Sequence, residues 1–359
     1  MMHALMFVLG LAALVLGAEW LVRGASKLAL AFGLSPLVVG LTVVAFGTSA
    51  PEMAVSVGAV LGGTTDLALG NAVGSNIFNV LFILGLAALI TPLSVHVQVI
   101  RQEAPIMIGA GVLLLALAFD GRLSLFDGAM LFALLLVYTG FLVRQSRAET
   151  ALASASGDYD AEVRPAQPGQ WDSRPVVQVG LVLAGLALLV AGSHALVTAS
   201  VAFAKALGVS DVVIGLTIVA AGTSLPEVAA SLMAALKGER DIAVGNVVGS
   251  CVFNVLGVMG VASLAAFSVG GLTVPAAVLN FDLWVMVAAL FACLPVFLSG
   301  REIARWEGAL FLAYYAAYTA YLVLAAQQHA VLPAYSNVMM GFVLPLTVVT
   351  LVVTLLRRG

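Results

Sequence analysis

Apolar residues run in long stretches along most of the chain, separated by short clusters of Gly, Pro and polar residues. A membrane span needs roughly 20 mostly apolar residues, and cutting the sequence at its punctuation predicts eleven spanning helices: 4–22, 35–62, 68–92, 103–119, 123–143, 176–197, 210–236, 242–266, 282–299, 304–326 and 337–356. One interval breaks the pattern. Gln145 to Asp172 carries Glu149, Asp158, Asp160, Glu162 and Arg164 among Ser, Pro and Gly residues, and reads as a polar, flexible linker between two hydrophobic halves.

Self-comparison shows that the halves are copies. A shift of 175 residues aligns Gly40–Leu89 with Gly215–Leu264, with 29 identities in 50 pairs, including GTSxPE and GNxVGSxxFNV in both. The offset contains five predicted spans, an odd number, so the second copy is inverted relative to the first. That is the architecture of many secondary transporters, whose site lies at the midplane between repeats. The predicted fold class is an all-α polytopic membrane protein of two inverted five-helix repeats plus an extra C-terminal helix. Its parts are an N-terminal repeat (1–144), a linker (145–175), a C-terminal repeat (176–326), and the extra helix with a short tail (327–359).

Charge adds orientation. Of 15 Lys and Arg residues, 13 fall on the side that holds the linker and the C-terminus, against Arg122 and Lys205 on the other. The positive-inside rule places the linker and C-terminus in the cytoplasm and the N-terminus outside, in a cell inner (plasma) membrane. Composition excludes other classes: 62% hydrophobic and 9% charged residues, with a mean hydropathy of +1.13, leave too little charge to coat a soluble domain. No basic face is available for nucleic acid. Cys251 and Cys293 both sit in apolar runs and read as buried thiols. Met1-Met2-His3 leads straight into an apolar run without a basic region or small-residue cleavage site, which reads as a retained first span.

Two acids are predicted to lie deep within spans, Glu52 and its +175 partner Glu227. An ionisable group at bilayer depth costs at least about 2.5–3.5 kcal/mol and by default faces a cavity and has a function. Each follows a proline, in Gly47-Thr48-Ser49-Ala50-Pro51-Glu52 and Gly222-Thr223-Ser224-Leu225-Pro226-Glu227. Proline lacks an N–H and clashes with the carbonyl four residues back, so the helix breaks there and its freed carbonyls are expected to face a cation. The third and eighth spans open with Gly70-Asn71-Ala72-Val73-Gly74-Ser75 and Gly245-Asn246-Val247-Val248-Gly249-Ser250. Ser75 and Asn79 share one helical face, as do Ser250 and Asn254. The glycines suit close helix packing, and the Ser/Asn faces suit an ion. All these ligands are oxygens, which suit a hard cation of Ca²⁺ type rather than Zn or Cu.

At these motifs the sequence resembles the Ca²⁺/cation antiporter superfamily, most closely its prokaryotic sodium/calcium exchangers. The resemblance implies exchange of Na⁺ for Ca²⁺ by alternating access, with the first and sixth spans sliding past the core. It makes Glu52 and Glu227 central ligands, with hydroxyls and carbonyls from Thr48, Ser49, Thr223 and Ser224. It further implies backbone carbonyls from Ala45 and Ala220, flanking Na⁺ ligands Ser75 and Ser250, and a central polar Asn79.

Asn254 stands where many relatives carry Asp, which removes a charge and argues against K⁺ co-transport. Cys251 replaces the Asn of the first repeat, Asn76. The Glu-His pair usual in the proton-coupled branch is missing from both GN motifs, which favours Na⁺ as counter-ion. The linker leaves no room for the large Ca²⁺-sensing domains of animal exchangers.

The resulting expectation is an electrogenic antiporter with Na⁺, Ca²⁺ and the lipid bilayer as its partners and no resident cofactor. The alternatives are H⁺/Ca²⁺ antiport, or Na⁺-coupled exchange of Mg²⁺ or Mn²⁺. A channel using the same oxygens is a further class, set apart by downhill flux without a counter-ion. An enzyme is disfavoured, because no HExxH occurs and His3, His96, His194 and His329 are scattered. His194 pairs with Glu19 under the 175 shift, which reads as interfacial packing rather than a gate. Gly33-Leu34-Ser35 and Gly208-Val209-Ser210 read as hinges or as plain helix ends.

Overall fold

In hydrocarbon a backbone must satisfy its own hydrogen bonds, so apolar runs fold as helices. The computed structural model of the chain describes residues 2–156, 172, 174–207 and 220–358. Among these, nine helices are long and apolar enough to cross a membrane: Met2–Ala29, Thr65–Ile90, Val99–Ala118, Leu125–Ala148, Pro175–Ala206, Arg240–Val269, Val278–Leu298, Arg305–Ala326 and Leu332–Thr354. A further crossing, Pro36–Thr48 with Ala50–Leu61, is bent by 42°. Of the predicted segment 210–236, the described part contains Ala220–Gly222 and Leu225–Leu236. The rest of that segment, with Gly208-Val209-Ser210, lies outside the described residues, as does most of the predicted linker. Spans are numbered below from first to eleventh in chain order, this segment being the seventh.

Helix ends differ from the hydropathy cuts. The first helix continues to Ala31, the fifth to Ser156 and the sixth to Ala206, because a helix does not stop where its side chains turn polar. Gly33-Leu34-Ser35 is a helix end. Gly33 takes φ 63°, and the Ser35 hydroxyl accepts the Val38 N–H at 3.2 Å to cap the next helix, with Pro36 in its first turn.

The first and sixth spans lie antiparallel with their backbones in contact. A Cβ at Gly10 would meet the Gly192 carbonyl at 2.9 Å, and one at Gly17 the Gly185 carbonyl at 2.8 Å. Gly10, Gly17 and Gly24 recur every seven residues, a small-residue seam along the first span. The third and eighth spans form the centre, with 72% and 67% of their windows buried. The eleventh span lies outermost, 0% buried, and rests on the ninth and tenth through Tyr314–Thr347 and a bond from Tyr335 to the Ala317 carbonyl.

The duplication extends beyond the stretch visible at a shift of 175. Strand β1 (Leu93–Ser94) pairs antiparallel with β4 (Glu302–Ile303), and β2 (Arg122–Leu123) with β3 (Leu272–Thr273), so each repeat lends a strand to the other at two places. The Tyr138 hydroxyl donates to Glu103 at 2.7 Å, and Tyr318 donates to Asp282 at 2.7 Å, the same contact once in each repeat. Glu103 to Asp282 is a shift of 179 and Tyr138 to Tyr318 one of 180. Four extra residues between the eighth and ninth spans, and one more between Asp282 and Tyr318, moved the register of the second copy and hid this part of the repeat.

The beginning of the second half is tied to the end of the first span. Asp172 is buried and meets Arg23 at 2.6 Å and Lys27 at 2.5 Å. Lys27, and after it Arg23, holds the Asp172 carboxyl below its usual range against the opposing effect of burial.

Two outcomes are expected. Gly185→Leu drives a side chain into the Leu21 N–H and the Gly17 carbonyl at under 3 Å and should cost about 1–3 kcal/mol or more, read as a lower thermal midpoint in detergent. Gly180→Ala, whose Cβ meets nothing within 4 Å, should leave the midpoint in place. For Asp172 the folded pKa lies below the unfolded one, so its stabilisation is present above the unfolded value near 4 and is lost as pH falls through the folded value. Acidification from about pH 5 to about pH 2 should therefore lower the midpoint more in the unmodified protein than in Asp172→Asn.

Candidate functional site

The proline rule acts where expected. The first helical piece of the second span ends at Thr48 and the next starts at Ala50, with Ser49 between them at φ −84°, ψ 6°. In the second repeat Ser224 takes φ −89°, ψ 8° before Leu225–Leu236. Glu52 and Glu227 thus sit in the first turn of a new helix, where the positive end of the helix dipole favours a carboxylate. Both are fully buried.

The repeats exchange hydroxyls across the centre. Ser224 Oγ donates to Glu52 Oε1 at 2.8 Å, and Ser49 Oγ donates to Glu227 Oε1 at 2.9 Å. Ser224 Oγ also lies 3.2 Å from Ser75 Oγ. Neither carboxylate completes its site within its own repeat. The second oxygens, Glu52 Oε2 and Glu227 Oε2, are buried without a hydrogen-bond partner, as are Asn79 Oδ1 and Nδ2, Asn254 Oδ1 and Ser250 Oγ. Buried polar groups are normally paired, so the unpaired oxygens at the meeting of two repeats are of a kind that suits a cation.

Among the described residues, Arg23 and Lys27 pair with Asp172 and Lys237 with Glu19, away from both central glutamates. The described residues hold no cluster of three or more His, Cys, Asp or Glu side chains. The donor set is therefore two carboxylates with hydroxyl, amide and carbonyl oxygens, suited to weakly held hard ions.

Each predicted ligand has a definite setting. Thr48, Ser49, Ser75, Asn79, Ser224, Ser250 and Asn254 are all buried around the two glutamates' helices, while Thr223 is half-buried. The Ala45 carbonyl already accepts the Ser49 N–H at 3.0 Å, and the Thr48 hydroxyl oxygen lies 3.4 Å from it. Ala220 opens the described part of the seventh span. The freed carbonyl of Gly222 does not wait for a cation, because Ser193 of the sixth span donates to it at 2.6 Å. The residue 175 positions earlier is Ala18, which has no hydroxyl, so this brace exists in one repeat only.

Positions 76 and 251 meet across the repeat axis. Asn76 Nδ2 donates to the Cys251 carbonyl at 3.3 Å, and Asn254 Nδ2 donates to Asn76 Oδ1 at 3.1 Å. The substitution of Cys251 for a second Asn keeps two like amides from competing for that place. Both cysteines are buried and free.

Glu19 bonds Lys237 at 3.3 Å, and the His194 carbonyl accepts from Thr198; residues related by the repeat occupy equivalent places, which need not touch. One expectation is corrected. Glu52 and Glu227 are not the only acids that are buried. Glu103 and Glu307 are buried too, but Gln98, Gln102 and Tyr138 donate to Glu103, and the Ala304 N–H donates to Glu307. What sets the central pair apart is that the hydroxyl each carboxylate accepts comes from a serine of the opposite repeat, whereas Glu103 and Glu307 accept from residues of their own repeat.

A family model described as sodium/calcium exchanger protein matches residues 2–144 and 177–324. The chain is 41% identical over 251 residues to the putative antiporter CaxA of Alkalimonas amylolytica, covering 67% of this chain and 74% of that one. It is 32% identical over 348 residues to the sodium/calcium exchanger MaX1 of Methanosarcina acetivorans, covering 88% and 96%. A solved structure of the sodium-calcium exchanger NCX_Mj, soaked with Na⁺ and Sr²⁺, superposes with a TM-score of 0.74 at 32% identity, covering 89% of this chain and 98% of that one.

Two carboxylates facing each other without a counter-charge destabilise the folded protein. In Na⁺-free buffer with a divalent chelator, Glu52→Gln should raise the thermal midpoint above that of the unmodified protein. A lower midpoint would count against a buried, uncompensated pair.

Proposed function

The chain belongs to the sodium/calcium exchanger protein family, and from that premise and the geometry above we propose that it exchanges Na⁺ for Ca²⁺ across the membrane by alternating access. It is a polytopic membrane transporter rather than an enzyme. The observation that carries the reading is the reciprocal centre: each buried glutamate is held on one oxygen by a serine of the other repeat and has its second oxygen without a partner.

The ligands we assign are Glu52 and Glu227, with Thr48, Ser49, Ser75, Asn79 and Ala45 from the first repeat and Thr223, Ser224, Ser250, Asn254 and Ala220 from the second. Ca²⁺ takes about 6–8 oxygen ligands in flexible geometry, which two carboxylates and this ring of hydroxyls and amides can supply. One Ca²⁺ neutralises the two carboxylates. Two Na⁺ do the same and a third leaves a net positive charge, so exchange at that ratio moves charge and responds to voltage. Asn79 and Asn254 add no charge to this balance.

Sodium is favoured over the proton as counter-ion because neither GN motif carries a Glu-His pair and none of His3, His96, His194 and His329 bonds to a site residue. Because the glutamates belong to opposite repeats and each is completed by the other, a rearrangement of the repeats remakes the site without dismantling either half. Such sites lie at the midplane of inverted-repeat transporters.

We place the protein in the cell inner membrane with the N-terminus outside and the linker and C-terminus in the cytoplasm. Strand pairing supports the inverted layout. β1 follows the third span and β4 the ninth, while β2 follows the fourth and β3 the eighth, so each pair lies on one side only if the chain crosses once between the sixth and eighth spans.

The test is ⁴⁵Ca²⁺ uptake into Na⁺-loaded proteoliposomes. Uptake should require an outward Na⁺ gradient, accelerate when an ionophore dissipates the inside-negative potential that three Na⁺ leaving for one Ca²⁺ builds up, and vanish in Glu52→Gln and Glu227→Gln. Uptake driven by a pH gradient alone would overturn the sodium assignment, and flux without any counter-ion would indicate a channel.

A further inference from the structure

The GN motifs contain an asparagine that the ligand set leaves aside. Asn71 Nδ2 donates to the Glu52 backbone carbonyl at 3.1 Å and to Ser56 Oγ at 3.0 Å, and its Oδ1 accepts the Thr223 hydroxyl of the other repeat at 3.4 Å. Asn246 repeats the arrangement. Its Nδ2 donates to the Glu227 carbonyl at 3.5 Å and to Ser231 Oγ at 2.8 Å, and its Oδ1 accepts the Thr48 hydroxyl at 3.1 Å. Four groups are thus tied in each half: a glutamate, a serine one turn on, the asparagine, and a threonine from the opposite repeat.

We propose that Asn71 and Asn246 are positioning residues that orient the Thr223 and Thr48 hydroxyls as cation ligands while fixing the glutamate of their own repeat. The inference rests on the exchange reading above. A hydroxyl has one proton and two lone pairs. Once the proton is committed to an asparagine oxygen, only lone pairs remain for a cation, and the O–H dipole cannot turn its positive end toward it. The amide's other end holds the carbonyl of the residue whose carboxylate binds the same ion. Each asparagine therefore sets the spacing between a ligand of one repeat and a ligand of the other.

This arrangement follows the general design in which groups behind a metal's ligands fix their orientation, and removing such a group typically costs about 10–100-fold in affinity. The connection is crossed: Asn71 acts on Thr223 and Asn246 acts on Thr48. A general loosening of the fold has no reason to follow that pattern.

The experiment is a set of double-mutant cycles read by equilibrium ⁴⁵Ca²⁺ binding to purified protein, with Na⁺-gradient uptake measured alongside. Asn71→Ala and Thr223→Val should each weaken Ca²⁺ binding about 10-fold or more, and the double variant should be no weaker than the worse single one. Asn71→Ala with Thr48→Val should instead multiply the two losses, because those residues share no bond. Asn246→Ala should couple to Thr48→Val and not to Thr223→Val. Additive losses in every combination, or coupling that ignores the crossed pairing, would overturn the proposal.

Thr223→Ser and Thr48→Ser keep the hydroxyl and should bind Ca²⁺ more tightly than Thr223→Val and Thr48→Val. If an asparagine variant does not fold, these serine variants against the valine variants decide the matter, and valine variants that bind normally would overturn it. Crossed coupling in binding, without Na⁺-driven uptake in the unmodified protein, removes the exchange reading and leaves this inference standing. Additive binding losses with intact exchange do the reverse, and an unmodified protein that binds no Ca²⁺ overturns both.

Discussion

Burying two carboxylates at the centre of a membrane protein without a cationic side chain beside them is the constraint from which the rest of the structure follows. Each needs donors that do not consume its whole binding capacity, and each obtains one from the serine of the opposite repeat, Ser224 for Glu52 and Ser49 for Glu227. The prolines that precede the glutamates break the helices at the residues that supply these hydroxyls. Helix break, carboxylate and donor therefore come from six consecutive residues in each half. The second carboxylate oxygens are left for a mobile charge, which a transported cation can bring and remove.

A site shared in this way requires the two halves to be inverted and held in register. The backbone contact of the first and sixth spans at paired glycines, the two inter-repeat strand pairs, and the equivalent Tyr138–Glu103 and Tyr318–Asp282 bonds all provide that register away from the centre. Symmetry is broken where two equivalent residues meet each other or meet different neighbours. Asn76 faces Cys251 on the axis, and Ser193 braces Gly222 where Ala18 offers nothing to Gly47. The eleventh span belongs to neither repeat and covers the ninth and tenth from outside.

Much of this was legible in the sequence because the bilayer permits so few solutions. Continuous apolar runs in hydrocarbon must be helices, an odd number of spans in the repeat offset forces inversion, and Gly47–Glu52 and Gly222–Glu227 carry proline and acid at depth. Their twofold occurrence identified Glu52 and Glu227 without reference to a structure. The helix ends at Ala31, Ser156 and Ala206 were not legible, since hydropathy marks where the bilayer stops and helices continue past it. Nor was the repeat beyond Leu89, where the shift slips from 175 to 179 and 180, or the glycine seam, whose meaning depends on what lies opposite.

The sequence by itself determined the class of fold, the duplication, the inversion and the residue types at the centre, because each of these is a property of spacing along one chain. Tertiary structure alone decided the partnerships. That Ser49 serves Glu227 rather than the nearby Glu52, that Asn71 accepts a hydrogen bond from Thr223, and that Glu103 is satisfied where Glu52 is not, are facts about contacts between segments more than a hundred residues apart, or between helix faces whose rotation is fixed only by packing. Spacing assigns a residue to a helix face, but the identity of whatever that face meets is settled by the close approach of the two halves.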